Sequence, residues 1–392
     1  MTPAARVQAA IEVLDLVIAA ARGNGAPADR IVGEWFRTRR FAGSGDRRAV
    51  RELVYRAIRA CGDIPQSGRA AMLLVAGQDP ALAALFDGSR HGPPPVAPDE
   101  QVAKAGIAPA WLEAQLAKSG IAQAEAEALL GRAPLDIRVN ALKASRDSLE
   151  LPVAGEPTQA PNGLRLPAGT PVESWDAFRE GRIEVQDTAS QLVCEALAPQ
   201  PGESIVDLCA GAGGKTLALA AAMDNRGSIL ACDTDRSRLS RLTPRAERAG
   251  ATIIETLLLN PGAELAALER FRSSADAVLV DAPCSGTGTW RRNPEARWRL
   301  DARQLERTTA LQSRLLGIAA ELVRPGGRIV FAVCSLLDAE GPDQVARFLA
   351  EQADWRADSL ALPAGSPRDS GIRLTPYQDG TDGFYIARLC AI

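Results

Sequence analysis

Ala277-Val278-Leu279-Val280-Asp281-Ala282-Pro283-Cys284-Ser285-Gly286-Thr287-Gly288 and, further on, Gly327-Arg328-Ile329-Val330-Phe331-Ala332-Val333-Cys334-Ser335 decide how this chain folds. Each is an unbroken run of β-formers bounded by Gly, Pro or Ser. That is the pattern of a strand buried on both faces, not of a half-exposed one. The apolar spacing from Ala302 to Leu322 between them predicts a helix, so the whole reads as one β-α-β unit of a parallel sheet. Such a unit sets Asp281, Cys284 and Cys334 at the carboxyl ends of two strands, the edge at which open α/β sheets bind ligands. Two thiols and a carboxylate at that edge point to covalent chemistry. The competing reading is two small core cysteines.

Upstream, strand–helix alternation begins at Gly202. Ser204 to Cys209 reads as the first strand, Ala210 to Gly214 as a loop, Lys215 to Met223 as a helix and Ser228 to Asp233 as the second strand. A third strand is expected over Ala251 to Leu257, and Gly383 to Leu389 is expected to close the chain as an edge strand. Three ligands compete for the glycine loop. Gly214-Lys215-Thr216 matches the end of a P-loop, but the opening glycine falls on Cys209. Gly211 and Gly213 match a dinucleotide fingerprint, but its third glycine falls on Thr216. S-adenosylmethionine carries no phosphates and needs backbone space plus a carboxylate for its ribose. Asp233, 22 residues after Gly211, supplies that carboxylate, and the loop, Asp233 and the two cysteine strands together favour this third ligand.

The first part of the chain has a different grain. Residues 4 to 86 carry helical stripes, with Asp46 as the expected cap of a helix over Arg47 to Ala60 and a dense set of arginines from Arg37 to Arg59. Those arginines fit a phosphate-facing surface and the solvated side of a helix pair equally well. Gly92 and Pro93-Pro94-Pro95 mark a linker. The expected division is a helical domain over 1–98, a small α+β module over 99–198 and a Rossmann-like α/β domain over 199–392. Asp136 to Lys143 alternates polar and apolar residues as a strand does. Its Arg138, Asn140 and Lys143 fit a nucleic-acid face or an ordinary polar sheet face. Arg291, Arg292, Arg297 and Trp298, just after the Cys284 loop, are candidates to hold an RNA backbone and stack on a base; packing of Trp298 inside the fold is the alternative.

Composition narrows the function classes. With 392 residues, 46% hydrophobic and 24% charged, the chain is an ordinary globular one of two or three domains. A net charge of −3 argues against indiscriminate nucleic-acid coating but leaves room for a local basic face. No apolar run of about eighteen residues occurs, so no membrane span is expected, Met1 to Arg6 lacks the start of a secretion signal, and several cysteines sit inside apolar strands where a disulfide framework is implausible, which fits a reducing cytoplasm. Seven cysteines without a Cys-x-x-Cys pair predict no metal site. His91 is the single histidine. A Ser-His-Asp or Cys-His mechanism is thereby set aside, and acid–base work falls to carboxylates, thiols, Lys, Tyr or water.

The chain resembles the Sun-type (Fmu) RNA cytosine-5 methyltransferases. The resemblance rests on Val185 to Gln191, on Asp207-Leu208-Cys209-Ala210-Gly211-Ala212-Gly213-Gly214-Lys215-Thr216, on Asp233, Arg238 and Leu239, and on Asp281 to Gly288 with Cys334-Ser335 fifty residues beyond Cys284. It runs from about Ile137 to the C-terminus, and the helical part resembles a NusB-like domain. The resemblance implies Cys334 as nucleophile and Cys284 as the group that assists release. It implies that Cys209, Ala210, Gly211, Ala212, Gly213, Gly214, Lys215, Asp233, Arg238 and Asp281 surround S-adenosylmethionine, with Asp281 also near the base. It implies a polar contact to adenine near Asn260, and RNA, foremost ribosomal RNA, as partner. Gly211-Ala212 stand where the family usually has Ala-Pro, Asn260 where it has an acid, and Val333 where it commonly has Thr. A P-loop hydrolase and an RNA-binding assembly factor with a vestigial cofactor fold are the alternatives; the oligomeric state stays open.

Overall fold

The computed structural model of the chain describes residues 1–23 and 25–392. Two compact units divide it, Met1–Arg132 with Thr289–Asp301, and Ala133–Gly288 with Ala302–Ile392. This differs from the expected division: the helices Ala110–Lys118 and Ala124–Ala128 belong with the helical unit, and so does the segment Thr289–Asp301 from the later part of the sequence.

The helical unit packs Pro3–Arg22, Ala28–Arg37, Ser44–Ala60 and Gly68–Ala76 around Val7, Leu14, Val17, Val32, Val54, Ile58 and Met72. Asp46 is not the cap residue expected of it. The helix starts at Ser44, and Asp46 reaches back from its first turn to the Gly43 N–H at 3.3 Å. The transplanted segment ends the same helix. Arg297, fully buried, donates to the carbonyls of Ile58 at 2.7 Å and Cys61 at 2.8 Å, and the Trp298 indole donates to Cys61 at 3.3 Å. A helix leaves its last carbonyls without partners and its C-terminus partly negative, so a buried guanidinium there is a cap.

The second unit holds two sheets. In the smaller, β2 (Glu156–Pro157), β3 (Gly163–Leu166), β1 (Leu135–Val139) and β4 (Ile183–Val185) lie side by side in that order. In the larger, β5 (Ser204–Asp207), β6 (Ser228–Asp233), β7 (Ile254–Leu258), β8 (Ala275–Asp281) and β9 (Val323–Val333) are parallel. The strands β10 (Trp355–Asp358), β11 (Ser366–Arg368), β12 (Gly371–Leu374) and β13 (Phe384–Ala391) add antiparallel pairs. The order β11-β12-β13-β9-β8-β5-β6-β7 makes a Rossmann-like sheet whose direction of winding reverses between β5 and β8. The helix Ala302–Leu322 joins β8 to β9, as its spacing predicts. The last strand is not an edge: β13 lies between β9 and β12, with Tyr385, Ile386 and Ala387 buried. Its unbroken apolar run is the signature of that interior place. Among the described residues no helix is long and apolar enough to cross a membrane.

Candidate active site

Three neighbouring parallel strands each end in an aspartate: β5 in Asp207, β6 in Asp233 and β8 in Asp281. They meet where the winding reverses, the expected place for a ligand. A cavity of about 620 Å³ opens there, lined by Cys209, Asp233, Arg238, Asp281, Cys284 and Cys334, with Leu208, Leu259, Leu311 and Leu315 as apolar wall. A larger cavity of about 1070 Å³ lies in the helical unit around Trp35, Arg39 and His91 and holds none of these thiols or aspartates.

Each carboxylate has a separate task. Asp233 accepts from the Gly211 N–H and from the Asp235 N–H, both at 2.7 Å, and so fixes the glycine loop to the end of β6. Gly211 has φ +56, and a Cβ there would lie 2.5 Å from the Arg238 guanidinium. Glycine in place of the usual alanine therefore suits both the left-handed backbone and the close approach of Arg238. Asp281 holds the Lys215 ammonium at 2.6 Å. Burial opposes charge on Lys215, but Asp281 and the nearby Cys334 outweigh it and raise its pKa. Asp207 is buried and accepts from the Thr216 hydroxyl at 2.7 Å. Burial pushes its carboxyl up to about 7, against which Thr216 pulls only in part.

Cys284 and Cys334, on two loops, stand with their sulfurs 3.3 Å apart. The bond to Cys334, then burial, hold the Cys284 thiol well above its usual range. Either thiol can donate to the other, and Lys215 lies close enough to Cys334 to feel its charge. The remaining cysteines are different. Burial raises Cys61 and Cys194 to about 12, and it raises Cys209 and Cys232 as well, with carboxylate neighbours adding to the effect. The Cys284 loop is fixed by Gly288, whose N–H donates to the Cys334 carbonyl at 3.0 Å. A Cβ on Gly288 would lie 2.0 Å from the Gly383 carbonyl oxygen.

The profile of the family 16S rRNA methyltransferase RsmB/F matches residues 194–390, just over half of the chain. The chain belongs to this family. The probable ribosomal RNA small subunit methyltransferase B of Synechocystis sp. is 38% identical over 270 residues, 65% of this chain and 59% of that protein. The ribosomal RNA small subunit methyltransferase B of Citrobacter koseri is 36% identical over 266 residues, 66% of this chain and 60% of that protein. The match thus spans about three fifths of the length of these relatives. Among solved structures, the crystal structure of PH0851 aligns with a TM-score of 0.74 at 26% identity, covering 99% of each chain.

The structure gathers some of the residues singled out above at this cavity and not others. Cys209, Asp233, Arg238 and Asp281 line the cavity, and Ala210, Gly211, Ala212, Gly213, Gly214 and Lys215 form the turn that leads from Cys209 into the helix Gly214–Ala222. Asn260 does not line it. Asn260 is exposed, while its neighbours Leu259 and Pro261 form the wall, and Glu264, paired to Arg314 at 2.6 Å, is an acidic residue of the lining.

The expected RNA face is largely internal. Arg138 is buried on Gln186 at 2.6 Å, and Asn140 is buried on the carbonyls of Gly181 and Ala249, each at 2.8 Å. Arg291, Arg297 and Trp298 are buried, and Arg292 is half-buried. Lys143 is exposed, yet its ammonium sits on the carbonyls of Glu180 at 2.9 Å and Arg248 at 2.6 Å. Arg138, Asn140 and Arg297 are thus committed to interior partners, while Lys143 keeps an exposed ammonium. Sequence reasoning gave no role to Asp207, Glu264 and Glu340. For Asp207 a signal was present, since it closes its strand as Asp233 and Asp281 close theirs.

Proposed function

We propose that this chain is an S-adenosylmethionine-dependent RNA methyltransferase that modifies carbon-5 of cytosine, with ribosomal RNA of the small subunit as the substrate its relatives' names favour. The observation that carries this reading is the 3.3 Å approach of Cys284 and Cys334 on the wall of a cavity that also presents Asp233 and Asp281. The cavity fits the cofactor. Its volume of about 620 Å³ suits a nucleoside with an amino-acid tail. Leucines offer an apolar wall for a base, and Asp233 has lone pairs left for ribose hydroxyls. When bound, S-adenosylmethionine supplies an electrophilic methyl group.

The protein's own groups do the rest. Cys334, as thiolate, forms a bond to carbon-6, and the pair of the ring double bond moves to carbon-5, which becomes nucleophilic. Lys215 favours that thiolate by charge. Asp281, tied to Lys215 at 2.6 Å, lies where it can accept from the amino group on the polar edge of the base, and the Lys215 ammonium beside it offsets the negative charge that the ring takes up. After carbon-5 is methylated its proton must leave. The carbon–hydrogen pair then restores the double bond, and Cys334 departs as thiolate. Cys284, or a water it holds, takes that proton. Its pKa explains the order of events. While Cys334 is a free thiolate it keeps Cys284 protonated. Once Cys334 is bonded to carbon its charge is gone, and Cys284 gives its own proton to water more easily, which frees its sulfur to take the carbon-5 proton. A base in a duplex lies out of reach of these thiols, so the substrate is an unpaired or extruded cytosine.

The test is methyl transfer from labelled S-adenosylmethionine to small-subunit ribosomal RNA, with bisulfite sequencing to locate the product. Label at one cytosine, protected from bisulfite, is the expected result. Label at another base, or none, overturns the reading.

A further inference from the structure

Behind the two cysteines, away from the cavity, lies a polar cluster that the chemistry above does not use. Its centre is the Glu340 carboxylate, fully buried although it forms no ion pair among the described residues. One oxygen accepts from the Ser285 N–H at 2.8 Å and from Gln312 Nε2 at 3.2 Å. The other accepts from the Ser335 hydroxyl at 2.6 Å and from the Ser285 hydroxyl. The two serine oxygens are 3.2 Å apart, and Thr287 Oγ1 lies 3.1 Å from that of Ser335 while accepting from the Leu336 N–H at 2.8 Å. Gln312 also donates to the Pro283 carbonyl at 2.9 Å. One carboxylate is therefore bonded to the residue that follows each cysteine, and its glutamine partner to the residue before Cys284.

We propose that Glu340 is a positioning residue that clamps the Cys284-Ser285 and Cys334-Ser335 loops together and so sets the separation of the two thiols. Strand pairing alone does not set it. β8 and β9 hold their backbones roughly 4.8 Å apart, but both sulfurs sit beyond the strand ends, on loops. Burying a carboxylate without a cation costs several kcal/mol unless its lone pairs are filled. Here they are filled by four donors from three segments, and three of those donors belong to the two serines. Any slip of one loop past the other empties an acceptor and is opposed steeply, because hydrogen bonds to a charged group are the strong ones. The carboxylate has a second consequence: its charge adds to the forces that keep the proton on Cys284.

The catalytic consequence rests on the methyltransferase reading; the geometric one does not, and the experiment separates them. Glu340→Ala, Ser335→Ala and Glu340→Gln are compared with the wild-type full chain in two assays. The first is kcat and KM for RNA methylation. The second is the rate at which diamide closes a Cys284–Cys334 disulfide, read by peptide mass; two thiols give up two electrons and two protons to the diazene. Glu340→Ala should lower kcat by roughly 10²-fold, the loss typical of a misplacement near 1 Å, with KM changed less than threefold and disulfide closure slowed. Glu340→Gln, which keeps the shape and one acceptor oxygen, should recover most of the closure rate. Ser335→Ala gives the same reading if Glu340→Ala does not fold. Closure and kcat at wild-type rates in Ser335→Ala and Glu340→Ala would overturn the proposal. Slowed closure in the variants of a wild type that methylates nothing would instead overturn the reading of function and leave the clamp standing.

Discussion

The ends of β8 and β9 and the middle of β1 look alike as sequence, since each sets polar side chains among β-formers, yet they differ in what those side chains are left to do. On β1, Asp136 is buried and accepts from two nitrogens of Arg165, at 2.7 and 2.9 Å, and from the Thr188 hydroxyl at 2.7 Å. Arg138 is taken up by Gln186. At the ends of β8 and β9, Asp281, Cys284 and Cys334 remain on the wall of a cavity. Residue type is the same kind of signal in both places; the partner list separates structure from chemistry. A polar group with its hydrogen bonds filled from within holds the fold, and one with a face left open is available to a substrate.

That contrast can be broken by substitution. Cys334→Ala should lower methyl transfer by about 10⁴-fold or more, the scale seen when a covalent nucleophile is removed, with unfolding in urea unchanged. Loss of stability with transfer intact would move Cys334 to the structural side. Arg165→Met leaves the Asp136 carboxylate buried and unpaired and should cost about 3 kcal/mol in urea unfolding. Arg297→Ala uncovers carbonyls at the end of the helix Ser44–Ala60 and should cost about 2–3 kcal/mol, while RNA affinity, measured where the protein is still folded, stays the same. Weakened RNA binding by a stable Arg297→Ala protein would return that arginine to the interface.

Asp207 gives an effect with a definite sign. Its carboxyl is raised in the folded chain to about 7 from an ordinary 3.8. The folded state therefore holds the proton more tightly than the unfolded one. Its contribution to stability is full below pH 3.8 and is lost as pH rises through about 7. Asp207→Asn should flatten the part of the Tm profile between those two values, and an unchanged slope would contradict the burial of that charge.

Much of the sheet was legible in the sequence because burial on both faces leaves an apolar run that no other element shares. The same rule, followed further, would have placed β13 inside the sheet, since Phe384 to Ala387 is apolar throughout. The cysteine pair, Asp233 and Asp281 were legible because each ends such a run. Arg297 and Trp298 were misread because a helix cap made by a residue more than two hundred positions away leaves no local periodicity. Glu340 was invisible for a related reason: nothing in its neighbours announces that two serines fifty residues apart converge on it.

The central claim is that two sulfurs act in turn on one pyrimidine. Wild type, Cys284→Ala and Cys284→Ala/Cys334→Ala, each incubated with small-subunit ribosomal RNA and S-adenosylmethionine and run on a denaturing gel, test it most directly. A stable protein–RNA band in Cys284→Ala, absent from the double variant and faint in wild type, is the predicted result. No band in Cys284→Ala, or a band that survives loss of Cys334, would contradict it.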